Sequence, residues 1–137
     1  MLVSILLVIG SLIIGFLGLM HLIYTFGSNK FEPRDDALGA RLREVSPVLT
    51  SQTTMWKAWI GFNASHSLGA MLFAAIYAYL ALFEIEFLLS STFLIVVSLL
   101  TLGSFLFLAR IYWFSSPFIG IAISTLLFVA GYLLAFL

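Results

Sequence analysis

The chain has 137 residues, 63% of them hydrophobic and 9% charged, with a net charge of zero and no cysteine. A soluble domain carries about 25% charged residues, so this chain lacks the charge to cover a water-facing surface, and its neutrality argues against nucleic acid as a partner. The missing cysteine excludes disulfides, thiolate metal sites, cysteine nucleophiles and dithiol redox chemistry.

A membrane-crossing helix needs roughly 20 mostly apolar residues. Four such runs are present, over about residues 2–26, 55–83, 87–109 and 117–137. Hydrocarbon offers backbone groups no partner outside their own helix. The expected fold is therefore all-α: one four-transmembrane-helix bundle domain over residues 1–137, with a short interfacial helix in the loop between helices one and two.

The first run, Leu2 to Phe26, is longer than a signal-peptide core and has no basic residue ahead of it, since the first lysine is Lys30. It reads as a retained helix ending at Gly27, Ser28 and Asn29. The polar loop spans Gly27 to Thr54, and within it Pro33 to Val45 reads as a short helix that Ser46-Pro47 ends. Pro33 fits a first turn, and Asp35 and Asp36 suit the positive N-terminal end. Leu38, Leu42 and Val45 form an apolar stripe, which lies in the headgroup plane or caps the bundle as an ordinary connector. Helix two is expected from Met55 to Phe83 and helix three from Phe87 to Ala109. Helix four is expected from Pro117 to Leu137, with Ser115 or Ser116 as N-cap and Pro117 at the first helical position.

The charges imply a topology. Lys30, Arg34, Arg41, Arg43 and Lys57 lie in or beside the long loop, and the hairpin pattern places Arg110 on the same side. The turn with Glu84 and Glu86 is on the other side with both termini. The positive-inside rule then puts loop 27–54 in the cytoplasm and the N- and C-termini outside. Trp56, Trp59, Tyr112 and Trp113 cluster near the cytoplasmic boundary as an aromatic belt.

Small residues let membrane helices approach closely. Ser11, Gly15 and Gly18 on helix one, Gly61, Ser65 and Gly69 on helix two, and Ser91, Ser98 and Thr101 on helix three are the expected packing seams. At about 100° per residue, Trp56, Trp59, Asn63, His66, Ala70, Phe73 and Tyr77 share a stripe of helix two. Polar groups at membrane depth face the bundle interior and find partners. His21, beside the Gly18 and Thr25 face, lies in the same half of the bilayer as His66, at a depth differing by several ångströms on a rise of about 1.5 Å per residue.

Three readings compete for the two histidines. They are structural, or they anchor a lipophilic ligand such as a quinone or lipid, or they ligate metal or haem. The candidate ligand-binding residues are His21, Asn63, His66, Trp59 and Tyr24; no metal site and no cofactor is assigned. Glu84 and Glu86 lie on the far side, which leaves a thin metal shell. There is no nucleophile elbow, phosphate loop or paired intramembrane carboxylate, and no midplane charge for an ion-coupled transporter.

The stretch Met55-Trp56-Lys57-Ala58-Trp59-Ile60-Gly61-Phe62-Asn63-Ala64-Ser65-His66-Ser67-Leu68-Gly69, with His21 ahead of Pro33-Arg34-Asp35, resembles a family of small uncharacterised bacterial four-helix integral membrane proteins. The resemblance covers nearly the whole chain. It implies a bacterial inner-membrane setting and weight on Asn63 to Gly69, and it assigns no residue a role. The leading functional expectation is a non-catalytic accessory subunit or lipophilic-ligand binder, in the lipid bilayer with a membrane-protein partner or as a homo-oligomer. The alternative is a small membrane oxidoreductase or oxygenase using His21 and His66 around haem, metal or quinone.

Overall fold

Where water is excluded, a backbone can satisfy itself only by coiling. The computed structural model, which describes residues 1–137, accordingly contains helices and no strand. In chain order they are α1 (Leu2–Gly27), α2 (Asp36–Glu44), α3 (Met55–Phe83), α4 (Ile85–Ser90), α5 (Thr92–Tyr112) and α6 (Ser115–Phe136). Four of them, α1, α3, α5 and α6, are long and apolar enough to cross a membrane. The chain is an integral membrane protein.

The spans match the expected ones, and the ends differ for identifiable reasons. The loop helix begins at Asp36 and not at Pro33, because Asp35 Oδ1 accepts from the Ala37 and Leu38 N–H groups at 2.9 and 3.2 Å and so becomes the N-cap. It ends at Glu44, ahead of extended Val45. The expected single run from Phe87 to Ala109 is broken at Ser91, whose Oγ accepts from Leu94 N at 3.3 Å and caps α5. A short α4 therefore precedes α5, which continues to Tyr112. α6 starts at Ser115 with Phe114 as its cap residue, so neither Ser115 nor Ser116 is the N-cap, and Pro117 takes the third position. Every N–H in the first turn lacks an intrahelical acceptor, so proline is tolerated there as well as at the first position.

The chain divides into two compact units: Met1–Leu17 with Ala70–Leu137, and Gly18–Gly69. The first is a helical bundle held by close approach. A Cβ on Gly10 would lie 2.8 Å from the Phe128 ring and 3.3 Å from the Ser124 carbonyl. Only glycine lets α1 and α6 meet this closely, and Ser124 Oγ uses the proximity to donate to the Gly10 carbonyl at 2.8 Å. Gly131 faces Leu7, and Gly120 faces Leu17, in the same seam. Phe128 is fully buried, with Phe73, Tyr77 and Tyr132 rings at 5.9, 5.8 and 6.0 Å, spacings typical of offset and edge-on aromatic pairs. The tyrosine hydroxyls cross between helices. Tyr77 donates to the Leu94 carbonyl at 2.8 Å, and Tyr132 pairs with Ser98 at 2.9 Å.

The seams expected on α1 and α5 are partly confirmed. Ser11 and Gly18 are buried, Gly15 contacts Ala74, and Ser98 is buried, whereas Ser91 breaks the helix instead of packing it. The seam expected on α3 is overturned. Gly61 and Gly69 have nothing within 4 Å of an added Cβ, and Ser65 is exposed. The buried face of α3 runs instead through Asn63, Ser67, Ala70, Ala74, Tyr77 and Ala81. Asn63 and Tyr77 decide which face turns inward, because an unpaired polar group in hydrocarbon costs a few kcal/mol, whereas glycine meets lipid at little cost.

The second unit contains the ends of α1 and α3 nearest the loop, and α2. Its buried residues are Gly18, Thr25, Gly39, Asn63 and Ser67, all small or polar. Here polar contacts hold the loop. Arg43 reaches both Glu32 carboxylate oxygens at 2.7 and 2.8 Å and the Gly39 carbonyl at 2.8 Å. Its guanidinium also lies 4.1 Å from the Trp56 ring centroid. Met55 N, at the start of α3, donates to the Val45 carbonyl at 2.8 Å.

Candidate ligand-binding site

Two helices bring the polar side chains together in the second unit. α1 supplies His21 and Thr25, one turn apart. α3 supplies Trp59, Asn63, His66 and Ser67. His21 Nε2 lies 2.9 Å from Asn63 Oδ1, and Asn63 Nδ2 donates to the Trp59 carbonyl at 2.8 Å. The second bond fixes the amide, since only its nitrogen can donate to a carbonyl. Asn63 therefore presents its oxygen to His21, and His21 Nε2 carries the donated proton. In the neutral ring Nδ1 is then an acceptor.

The His66 ring centroid is 5.4 Å from that of His21, with the planes at 73°. Thr25 and Ser67 return their hydroxyls to the His21 and Asn63 carbonyls at 2.8 and 2.9 Å. These hydroxyls are thus spent within their own helices, and both residues serve the cluster by being small enough to bury. His21 and His66 meet despite their different depths along the two helices.

A further ring completes the cluster. Phe31, from the loop, lies 4.6 Å from the His21 ring and 6.3 Å from the Trp59 ring. Trp59, although about half exposed, is held by its indole N–H donating to the Phe31 carbonyl at 3.2 Å. Sequence reasoning missed Phe31. Its one signal was an aromatic isolated among Asn29, Lys30, Glu32 and Pro33, where a solvated loop has no use for it. Tyr24, expected among the site residues, belongs to a different contact: Lys30 Nζ sits 3.7 Å from its ring centroid.

Two open cavities adjoin the cluster. One of about 280 Å³ is bordered by Thr25, Phe26, Ser28 and Ile60. The other, about 300 Å³, is bordered by Pro33, Leu42, Met55 and Trp59. Phe31, Glu32 and Trp56 border both. Neither histidine lines a cavity wall. Phe31, in contact with His21 and facing both spaces, is the link between them. The volumes fall at the small end of ligand sites. A metal ion would meet two imidazoles here and would have to displace Asn63 from His21 Nε2 to use that nitrogen.

No family model, no curated protein and no solved structure matches this chain.

Proposed function

We propose that this protein is a non-catalytic membrane protein that binds a lipophilic ligand with a polar end, a quinone or a lipid. The apolar body lies along the aromatic walls of Phe31, Trp56 and Trp59, and the polar end reaches His21, Asn63 and His66 once Phe31, which stands between them and the cavities, moves aside. The observation that carries this reading is the meeting of two intramembrane imidazoles from separate helices, one of them paired with a buried carboxamide. Ionisable side chains within membrane spans are costly and tend to mark functional sites. A purely structural role would need only one partner for each polar group. Here a donor, an acceptor-capable ring and tilted or edge-on aromatic rings are gathered beside open, partly apolar space.

We further propose a bacterial inner-membrane location, which the family resemblance implies, with loop 27–54 in the cytoplasm, an orientation supported by the basic residues gathered in and beside it. In intact cells, cysteines placed at Ser28 and Ser51 should be shielded from an impermeant thiol reagent, and one beside Glu84 should label. The opposite pattern would reverse the orientation.

The binding reading is tested by mass spectrometry of small molecules retained by the purified protein. His21→Ala and His66→Ala should each lose a bound quinone or lipid that the wild type keeps, while the helical bundle stays folded. Wild type and variants with the same retained molecules would sink the reading. A Soret band, or stoichiometric iron or copper in the wild type, would favour the oxidoreductase alternative.

A further inference from the structure

The loop changes character at Val45. Residues 30–44 carry eight charged side chains, and residues 45–54 carry none. In the second stretch Thr50 N donates to the Pro47 carbonyl at 3.2 Å, closing a turn with Val48 and Leu49 at its corners. Apart from the two chain ends, these are the most exposed large apolar side chains in the protein, at 109% and 92%. A tight turn in water favours Gly, Asn, Asp or Ser at such corners. Here it presents a valine and a leucine.

The base of this turn is fixed at the membrane boundary. Met55, the first residue of the membrane-crossing α3, holds the Val45 carbonyl at 2.8 Å. Three extended residues reach about 10 Å, so Val48 is within that distance of Val45, which is itself hydrogen-bonded to the start of the span. Apolar segments at an interface bury about 5–10 Å into the headgroup and acyl boundary. α3 exposes apolar side chains from this point on, at Met55, Trp59 and Phe62, with Lys57 the one charge among them. α2 is a poorer anchor than its sequence stripe implied, because Leu42 is turned into the cavity beside Trp59.

We propose that the turn Pro47 to Thr50 dips into the boundary of the same bilayer that the four helices cross, with Val48 and Leu49 as its anchors. The stretch holds no charge that would have to be dehydrated. Ser46, Thr50, Ser51, Gln52, Thr53 and Thr54 carry hydroxyl and amide groups suited to the hydrogen-bonding headgroup layer.

The chain has no cysteine, so a single introduced one can be labelled without background. The full-length protein, with a nitroxide at Leu49→Cys, would be reconstituted in phosphatidylcholine–phosphatidylglycerol vesicles. A second sample would carry the label at Asp36→Cys, on exposed α2. The Leu49 label should collide more with oxygen than with a water-soluble nickel chelate, and the Asp36 label should show the reverse. A Leu49 label as open to the chelate as the Asp36 label would overturn the proposal. So would a label shielded from both reagents in native membranes and water-exposed in vesicles, which would show a protein partner covering the turn.

Discussion

The two units differ in what they bury. Every fully buried apolar side chain, from Leu7 on α1 to Tyr132 on α6, belongs to the first unit. The second unit buries only glycine, threonine, asparagine and serine, and relies on hydrogen bonds and an arginine fork. In lipid there is no hydrophobic gain in bringing helices together, so association depends on packing and on interhelical hydrogen bonds. The first unit takes both routes, a packed core and three interhelical hydrogen bonds, and the second has only the hydrogen-bonding route, through His21 and Asn63. Interhelical hydrogen bonds in membranes are modest, about 0.6 kcal/mol on average. A region held mainly by them is suited to rearrange around a ligand, and the tightly packed region is suited to remain as its frame.

The comparison is broken most directly at its strongest point. Phe128→Ala should cost about 3–5 kcal/mol, because the ring is fully buried among Phe73, Tyr77 and Tyr132. Thermal unfolding in detergent should show a large drop. A shift no greater than that of a substitution in the second unit would refute the division into frame and site. Gly10→Ala should follow at about 1–3 kcal/mol, since its Cβ would press on the Phe128 ring and on the carbonyl of Ser124, the residue whose hydroxyl donates across the seam. Should Gly10→Ala unfold at the wild-type temperature, the α1–α6 contact is looser than described.

Much of this was legible in the sequence, and the failures have a common cause. Hydropathy located the four spans to within a few residues, because hydrocarbon leaves the backbone a single solution. The polar stripe of α3 was legible for the same reason: Asn63 and Tyr77 had to face protein. Small residues were a weaker guide. Gly61, Ser65 and Gly69 are spaced as a packing seam but face outward, because glycine permits a close approach without requiring one. The tightest seam, Gly10 against Ser124 and Phe128, joins residues more than a hundred positions apart, and no local pattern announces such a pairing. Phe31 was missed because its partners, His21 and Trp59, lie on elements that only the tertiary fold brings to the loop.

A smaller effect sharpens the same comparison. Asn63→Ala removes the acceptor of His21 Nε2 and the donor to the Trp59 carbonyl. The stability loss should stay near 1 kcal/mol, in keeping with hydrogen bonds in membranes, and well below that of Phe128→Ala. Ligand retention should nevertheless fall sharply, because His21 loses the group that sets its proton position and orientation. A large unfolding shift with ligand retention unchanged would make Asn63 a structural residue and move the binding site elsewhere.

The smallest expected effect belongs to Gly69→Leu. By spacing alone, Gly69 is a seam residue, and a leucine there should overpack a helix contact at roughly 1–3 kcal/mol. The geometry says otherwise: nothing lies within 4 Å of an added Cβ, and the exposed neighbours Leu68 and Leu72 share its environment. A leucine would add an apolar side chain to a surface already apolar, and leucine is a better helix former than glycine by several tenths of a kcal/mol. The change should therefore leave stability within about 0.5 kcal/mol of wild type, or raise it slightly. Measured beside Gly10→Ala in the same detergent, it separates the two kinds of glycine in this chain. A loss as large as that of Gly10→Ala would mean that this face of α3 is covered by a second helix in the membrane, from another copy or another protein. An unchanged unfolding temperature leaves it facing lipid.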